Sequence, residues 1–424
     1  MTEISSLSCL FWLSVVFIIG YVAIAFEQGA RVNKAATAIL MAIMCWSIIS
    51  FCLPQAGLLN SLQPHFEQAA EIVIFLLGAM AIVEVVDSHR GFTIITNFIV
   101  TRSHKKLLFY ICIITFFLSS VLDNLTTTIV MISLLRKLIE QKEERMLLGG
   151  MVVVAANAGG AWTPIGDVTT TMLWINGQIS TIGIIKALFL PSVVAMGIPL
   201  FILSFFTTKK ELALIDRKTA EMPPYSRLIF WLGIGSLIFV PIFKLLTGLP
   251  PFMGMMLGLG FMWLITDIIH AKSGEKREYL RLPHILTKVD ISGVLFFLGI
   301  LLAVSSLEVA GILKGIALWL DYHLSSQAAI ACVIGFFSAI VDNVPLVAAT
   351  MGMYPLSEFP QDAPLWEMIA YAAGTGGSIL IVGSAAGIAF MGMEKIRFGW
   401  YLKKISLVAT LGYLGGFLTY LAFS

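Results

Sequence analysis

Long apolar runs separated by short polar segments dominate the 424-residue chain. A helix needs about 20 mostly apolar residues to cross about 30 Å of hydrocarbon, and runs of this length recur along the sequence. Two further apolar stretches, residues 107–139 and 325–353, are too short for two full spans joined by a turn. The pattern predicts an all-α polytopic membrane protein, with spans near residues 10–26, 36–53, 69–87, 146–173, 183–207, 228–247, 251–269, 291–310, 367–391 and 402–422.

The composition indicates the same class, because 58% hydrophobic and 12% charged residues exceed what a soluble core can bury. The net charge of +2 and the lack of a long Lys/Arg run exclude a nucleic-acid-binding surface. No G-x-x-x-x-G-K loop is present, so we expect a protein that is not an enzyme, needs no cofactor and is driven by an ion gradient. The cysteines lack metal-site spacing and are predicted to be small core residues: Cys9, Cys45, Cys52, Cys112 and Cys332.

The Lys and Arg residues predict the orientation, because short connections rich in them stay in the cytoplasm. All 27 except Lys186, Lys244 and Lys314 fall in alternate connections. Both termini and the remaining connections are then external, as expected for a bacterial-type inner membrane protein. Residues 107–139 and 325–353 must return to the side from which they enter, which predicts two re-entrant helical hairpins that enter from opposite sides.

The two halves of the chain are similar in sequence, which indicates an internal repeat. FLLGAMAIVEVVD matches FFLGILLAVSSLE, FLSSVLDN matches FFSAIVDN, and AANAGGAWTPIGD matches AAGTGGSILIVGS. Each half is predicted to cross the membrane five times net, so the copies are inverted, as in many secondary transporters. We expect a first repeat at 1–207, a cytoplasmic linker at 208–227 and a second repeat at 228–424. The glycines and the proline of the third pair predict broken helices at about 146–173 and 367–391.

An Asp-Asn pair lies at the predicted tip of each hairpin, in SSVLDNLTTT and SAIVDNVPLV. An intramembrane charge costs about 2.5–3.5 kcal/mol on insertion scales, so a role in transport is the default interpretation. Hairpin tips and broken helices bring free backbone groups to the same depth, and oxygen atoms of this kind are ligands for a hard cation such as Na⁺. The structural alternatives are helix capping by the aspartates, backbone hydrogen bonding by the threonines and close packing at the glycines.

Three segments, SSVLDNLTTTIVMISLLRKL, NAGGAWTPIGDVTTTMLW and SAIVDNVPLVAATMGMYP, resemble signature segments of the NhaD-type sodium/proton antiporters, within the ion transporter superfamily. The resemblance covers most of the chain and implies inverted repeats, unwound helices and a homodimer. Dicarboxylate transporters of that superfamily usually carry Ser-Asn-Thr at the hairpin tips, whereas this chain carries Asp-Asn. The resemblance implies roles in ion binding and coupling for Ser119, Asp123, Asn124, Asn157, Asp167, Thr169, Thr170, Ser338, Asp342, Asn343 and Ser378.

Four of these candidates are expected to hold Na⁺ itself: Asp123, Asn124, Asp167 and Asn343. Secondary candidates, chosen for their positions, are Gly160, Thr126, Glu71 and Ser384. Ser384 stands in the second half where the first half has Asp167, so the two halves are not expected to be equivalent.

The expected function is exchange of cytoplasmic Na⁺ for external H⁺ by alternating access, with Li⁺ as a further candidate ion and pH homeostasis as the role. Burial favours a protonated carboxyl, whereas a bound cation favours the ionised form, so the two ions compete for one carboxylate and their fluxes are coupled. Two alternatives stay open. Transport of arsenite or a small organic anion would be expected to need cationic or Ser/Thr-rich tips, and a passive channel is disfavoured by two hairpins of opposite orientation.

Overall fold

The structure is a computed structural model that describes residues 7–25, 33–52, 55–96, 101, 103–206, 223–270, 279–324, 326–340 and 342–424. This described part contains helices and no β-strand. The helices of the first half are α1 Leu7–Ala25, α2 Lys34–Cys52, α3 Gln55–Ser88, α4 Thr93–Thr96, α5 His104–Leu122, α6 Asn124–Leu138, α7 Lys142–Gly160, α8 Val168–Ile175 and α9 Thr181–Phe206. Those of the second half are α10 Ser226–Thr247, α11 Pro251–His270, α12 Leu282–Ile285, α13 Ile291–Val309, α14 Ile312–His323, α15 Gln327–Ser338, α16 Asn343–Met353, α17 Pro364–Gly376, α18 Ala385–Glu394, α19 Phe398–Tyr401 and α20 Leu407–Phe423.

Eight helical segments within the described residues are long and apolar enough to cross a membrane. They correspond to α2, α3, α5, α9, α10, α11, α13 and the continuous stretch Phe398–Phe423 that contains α19 and α20. The predicted class, an all-helical polytopic membrane protein, is therefore confirmed. Helix α5 has 19 residues and could cross by itself, whereas α15 and α16 have only 12 and 11 residues.

The two broken helices end where the glycine pattern predicts. Helix α7 stops at Gly160, and α8 begins at Val168 after an irregular segment that contains Pro164. Proline has no backbone N–H to donate within a helix, and Asp167 caps α8 by accepting a hydrogen bond from the Val168 N–H at 2.8 Å. In the second half α17 ends at Gly376 and α18 begins after its cap, Ser384.

Helix packing is matched between the two halves. Helix α5 packs on α7, as α15 packs on α17. Helix α6 packs on α18, as α16 packs on α8, so each hairpin contacts the broken helix of the other half. Outside this region α2 packs on α13 and α11 packs on α3, while α9 and α20 pack on each other. The arrangement places both hairpin tips and both helix breaks in one central region.

The cysteine prediction is wrong for two of the five residues. Cys9 of α1 and Cys52 of α2 form a disulfide, whereas Cys45 and Cys112 are buried free thiols. The error arose because the two partners lie 43 positions apart and only the packing of α1 on α2 brings them together. The predicted linker, 208–227, lies mostly outside the described residues.

Candidate ion-binding site

The two hairpin tips and the first helix break line one cavity of about 110 Å³, here called the site cavity. Its acidic lining residues are Asp123, Asp167, Asp290 and Asp342. Asp123 and Asp342 each lie at the N-terminal cap of the second helix of a hairpin, and Asp167 caps α8. The three caps that the sequence analysis proposed for ion binding therefore meet at one place.

Asp167 accepts hydrogen bonds from both halves of the chain. Its Oδ1 accepts from the Asn124 side chain at 3.0 Å, and its Oδ2 accepts from the Asn343 side chain at 3.2 Å. The Thr169 hydroxyl donates to the same Oδ2 at 2.6 Å. Asp167 is 3% exposed and shares the site cavity with Asp123 and Asp342. Because its carboxylate is buried and accepts hydrogen bonds from both halves, Asp167 is the central group of the site.

A chain of side-chain hydrogen bonds extends from Asp167 to the second broken helix. The Asn124 amide donates to Asn157 Oδ1 at 3.1 Å, and the Asn157 amide donates to the Ser384 hydroxyl at 3.0 Å. The Ser384 hydroxyl in turn accepts from the Gly387 N–H at the start of α18. Hydrogen bonds thereby connect Asp167, the cap of α8, with Ser384, the cap of α18.

The aspartates at the two tips have different partners. Asp123 has a φ of 107° and accepts two hydrogen bonds from one residue, from the Thr126 N–H at 2.8 Å and from its hydroxyl at 2.7 Å. Asp342 accepts from the Val344 N–H at 3.2 Å, and its other oxygen lies 3.9 Å from the Lys34 ammonium. The capping alternative is thus true of both residues, and it coexists with a position in the cavity.

The serines and glycines of the two repeats hold the hairpins against the broken helices. The Ser119 hydroxyl donates to the Ala156 carbonyl at 2.6 Å, and the Ser338 hydroxyl donates to the Ala373 carbonyl at 2.9 Å. A Cβ on Gly166 would lie 2.8 Å from the Ser119 carbonyl oxygen, and one on Gly383 would lie 2.6 Å from that of Ser338. Both glycines are therefore needed for close approach of backbone to backbone.

Several predicted residues lie at the edge of the site or away from it. Gly160 packs against the Gly166 carbonyl, and the Thr170 hydroxyl donates to the Asp167 carbonyl at 2.9 Å. The Ser378 hydroxyl donates to the Thr375 carbonyl within its own turn and does not line the cavity. Glu71 does not line it either.

The lining residues that the sequence analysis did not single out include Lys34, Phe296 and Asp290. The Lys34 ammonium lies 4.4 Å from the centroid of the Phe296 ring, as well as facing Asp342. Lys34 was counted only as a marker of a cytoplasmic connection. The sequence did offer one indication of its role, because Lys34 is the first residue of an apolar helix and does not lie in the middle of a connection.

A second cavity, here called the vestibule, has a volume of about 240 Å³ and is lined by His65, Gln178 and Glu308 among others. Four helices line both cavities: α3, α8, α13 and α16. The vestibule layer consists of Ile72, Met172, Leu301 and Ala348, and the site-cavity layer of Phe75, Thr171, Phe297 and Val344. The two layers lie within about one helical turn of each other, so a thin and mainly apolar barrier separates the cavities.

The donor atoms of the site cavity suit a monovalent hard cation. Carboxylate, amide and hydroxyl oxygens are the ligand types that hard ions prefer, and imidazole and thiolate are absent from the lining. Among the described residues no three His, Cys, Asp or Glu side chains are close enough to hold one metal ion together. An ion here would bind one or two carboxylates together with neutral oxygens.

Comparison with known proteins identifies a matching family and several similar proteins. The model of the CitMHS family, described as citrate transporter, matches residues 21–374. The chain is 55% identical to sodium/proton antiporter 1 of Arabidopsis thaliana, over 97% of this chain and 72% of that protein, and 53% identical to sodium/proton antiporter 2 of the same plant, over 97% and 99%. It is 28% identical to the Na(+)/H(+) antiporter NhaD of Vibrio cholerae, over 94% and 88%.

Proposed function

The chain belongs to the NhaD-type sodium/proton antiporters, within the CitMHS family, and from this membership we propose that it exchanges Na⁺ for H⁺ across a membrane. The observation that supports the proposal most strongly is Asp167, a buried carboxylate that both halves contact and that shares a cavity with Asp123 and Asp342. Burial favours its protonated form and a bound cation its ionised form, so the two ions exclude each other. Mutual exclusion at one group is what couples the two fluxes.

Asp123, Asn124, Asp167 and Asn343 are the residues proposed to hold Na⁺. Each of the two asparagines donates one hydrogen bond to Asp167, so rotation of either amide would present its oxygen to an ion at the same place. Thr126 and Thr169 donate hydrogen bonds to the carboxylates of Asp123 and Asp167. No cofactor takes part, and the gradient of one ion drives the other. Li⁺ uses the same oxygen ligands.

The exchange proceeds by alternating access. The site cavity and the vestibule lie on opposite sides of one mainly apolar layer. This layer contains Phe75, whose ring packs edge to face on that of Trp174 with centroids 6.5 Å apart. Opening this layer toward the vestibule while closing the site cavity would expose the same carboxylates to the other side of the membrane. The barrier is thin enough that small movements of α3, α8, α13 and α16 suffice.

The architecture behind this movement is two inverted repeats, at residues 1–207 and 228–424, with re-entrant hairpins at about 107–139 and 325–353. The matched helix packing and the equivalent contacts of Ser119 and Ser338 support it. The linker at 208–227 is proposed to be cytoplasmic. A homodimer is the proposed assembly.

The proposed location is a bacterial-type inner membrane, with both termini external. The disulfide between Cys9 and Cys52 supports this orientation, because it lies near the N-terminus and beside the predicted external connection 54–68, and disulfides persist on the oxidising side of a membrane. Labelling of a single cysteine introduced at Ser424 by an impermeant maleimide in intact cells tests the orientation. An inaccessible C-terminus would contradict it.

A carboxylate substrate is disfavoured by the negative charge of the site cavity. Four aspartates line it, and Lys34, the single Lys or Arg among the described lining residues, already faces Asp342. A citrate ion carries up to three negative charges and would be repelled by this lining. Citrate, from which the family takes its description, therefore does not fit the site cavity of this chain.

The test is Na⁺-induced dequenching of a pH-sensitive dye in everted membrane vesicles from a host that lacks its own sodium/proton antiporters. We expect dequenching that saturates with Na⁺, rises with cytoplasmic pH and is absent with the empty vector. Li⁺ and K⁺ are compared in the same vesicles. Citrate-dependent uptake without any Na⁺-dependent proton movement would contradict the proposal.

A further inference from the structure

The Lys34 side chain occupies the site cavity in the manner of a bound cation. Its ammonium lies 3.9 Å from Asp342 Oδ2 and 4.4 Å from the centre of the Phe296 ring. Carboxylates and aromatic faces are the two kinds of group that attract a partly desolvated monovalent cation most strongly in proteins. Both side chains of the ion pair are only about a quarter exposed, at 27% for Lys34 and 24% for Asp342.

The free bonding capacity of Asp342 is limited by its other contact. Its Oδ1 caps α16 by accepting from the Val344 N–H, which leaves Oδ2 as the oxygen that faces Lys34. Asp290, the remaining acidic residue on the same wall of the cavity, caps α13 through the Gly293 N–H at 2.9 Å. An incoming Na⁺ that approaches Asp342 through Oδ2 therefore meets the Lys34 ammonium there.

We propose that Lys34 is a tethered competitor of Na⁺: its ammonium fills a cation site formed by Asp342 and Phe296, and Na⁺ binds there only after Lys34 has moved out. This inference rests on the proposed Na⁺/H⁺ exchange and assigns to it a residue that sets Na⁺ affinity. In the Lys34-bound arrangement only the Asp123 and Asp167 side of the cavity is open to Na⁺. Lys34 belongs to α2, whereas Asp342 belongs to a hairpin tip, so the contact also links two separate elements.

The expected effect follows from competition. If the Asp342 site is free of Lys34 in about a tenth of the molecules, removing the ammonium raises the apparent Na⁺ affinity about tenfold. Lys34→Gln should therefore bind Na⁺ more tightly, whereas Lys34→Arg keeps a cation in place and should bind it as weakly as the wild type or more weakly. Lys314→Gln is the matched control, because Lys314 is an exposed lysine on an apolar helix and does not line the site cavity.

The experiment measures equilibrium binding of ²²Na⁺ to detergent-purified protein at fixed pH, and then the Na⁺ concentration for half-maximal dequenching in vesicles. Tighter binding by Lys34→Gln, unchanged binding by Lys314→Gln, and loss of the Lys34→Gln effect when Asp342→Asn is also present would support the proposal. Unchanged or weaker Na⁺ binding by a Lys34→Gln protein that is monodisperse would overturn it.

If the Lys34→Gln protein does not fold, Lys34→Arg is the deciding variant. Na⁺ binding by Lys34→Arg that is clearly tighter than in the wild type overturns the proposal, and binding that is equal or weaker supports it. Failure of the proposed function gives a different result. A wild-type protein that binds ²²Na⁺ but moves no protons in vesicles contradicts the exchange, while competition between Lys34 and Na⁺ can still be measured by binding.

Discussion

The two hairpin tips carry the same Asp-Asn pair and hold their aspartates in different ways. Both oxygens of Asp123 accept hydrogen bonds from Thr126, a neutral residue of the same helix. One oxygen of Asp342 caps its helix, and the other faces the ammonium of Lys34 from a distant helix. Neutral donors leave the charge of Asp123 to be balanced by H⁺ or Na⁺, whereas the charge of Asp342 already has a partner.

The two broken helices also differ in the residue that caps their second part. The first begins again at Asp167, a carboxylate, and the second at Ser384, a neutral hydroxyl. Of the aspartates that cap a hairpin tip or a broken helix, two belong to the first half, Asp123 and Asp167, and one to the second half, Asp342, which faces Lys34 of the first half. We propose that coupling is concentrated at Asp123 and Asp167, and that Asn343 contributes from the second half through its hydrogen bond to Asp167.

The largest expected effect is that of Asp167→Asn. The substitution keeps the size of the side chain and removes the charge for which H⁺ and Na⁺ compete, so exchange should fall to the vector background. The dequenching assay over a pH series measures it, with membrane content checked by immunoblot. Exchange at the wild-type rate would show that Asp167 is only a buried helix cap.

Asp123→Asn should also reduce exchange to near background, because it leaves the first hairpin tip without an acidic group. Thr126→Val is the informative companion, since it removes one of the hydrogen bonds to Asp123 and keeps the carboxylate. We expect Thr126→Val to retain exchange with an altered pH dependence. Equal loss in both variants would point to a structural defect at the tip.

Asp342→Asn should leave exchange measurable and reduced about tenfold, which corresponds to about 1.4 kcal/mol. The Lys34 ammonium would lose its partner, yet Asp123 and Asp167 would remain. The same vesicles and pH series apply. If Asp342→Asn is as inactive as Asp123→Asn while Asp167→Asn stays active, the second hairpin rather than the first half holds the coupling carboxylate.

Gly166→Ala and Gly383→Ala should each destabilise the protein by about 1–3 kcal/mol, because the added methyl group would press on a hairpin carbonyl. Thermal unfolding of the purified proteins, followed by fluorescence-detected size exclusion, compares them. Gly392→Ala is the control, since a Cβ there meets nothing within 4 Å. A large effect at only one of the two glycines would argue against equivalent packing in the two halves.

The smallest effect is expected for the hydroxyls of Ser119 and Ser338, each of which makes one hydrogen bond to a broken helix. Ser119→Ala and Ser338→Ala should each cost about 1 kcal/mol of stability and leave the ion site in place. Unfolding temperature and exchange rate are measured together. Loss of exchange without loss of stability in either variant would make that hydroxyl an ion ligand.

The sequence predicted those features that depend on local pattern. Apolar run length predicted seven of the eight described helical segments that could cross a membrane, all but α5. The glycines at 159 and 160 with Pro164 predicted the break after α7. The repeated Asp-Asn pairs indicated which residues would meet, because hairpin tips and broken helices were expected at the same depth of the membrane. Asn124, Asn157 and Asp167 do lie within hydrogen-bond distance of one another along one chain of contacts.

Contacts between residues that are far apart in the chain could not be predicted from the sequence. Lys34 is separated from Asp342 by most of the chain, and nothing in its surroundings in the sequence indicates which cap it reaches. The disulfide was missed for the same reason. Ser378 matches the family pattern, but its hydroxyl donates to the Thr375 carbonyl and does not reach the site cavity. Serine hydroxyls often form such hydrogen bonds with a nearby backbone carbonyl.

The measurement that tests the central claim most directly is uphill ²²Na⁺ movement driven by a pH gradient in proteoliposomes, with the membrane potential held at zero by K⁺ and valinomycin. If H⁺ and Na⁺ compete for Asp123 and Asp167, an acidic interior should accumulate Na⁺ above its external concentration in the wild type, and neither Asp→Asn variant should do so. Na⁺ that only equilibrates across the wild-type membrane, whatever the pH gradient, would contradict coupled exchange at these carboxylates.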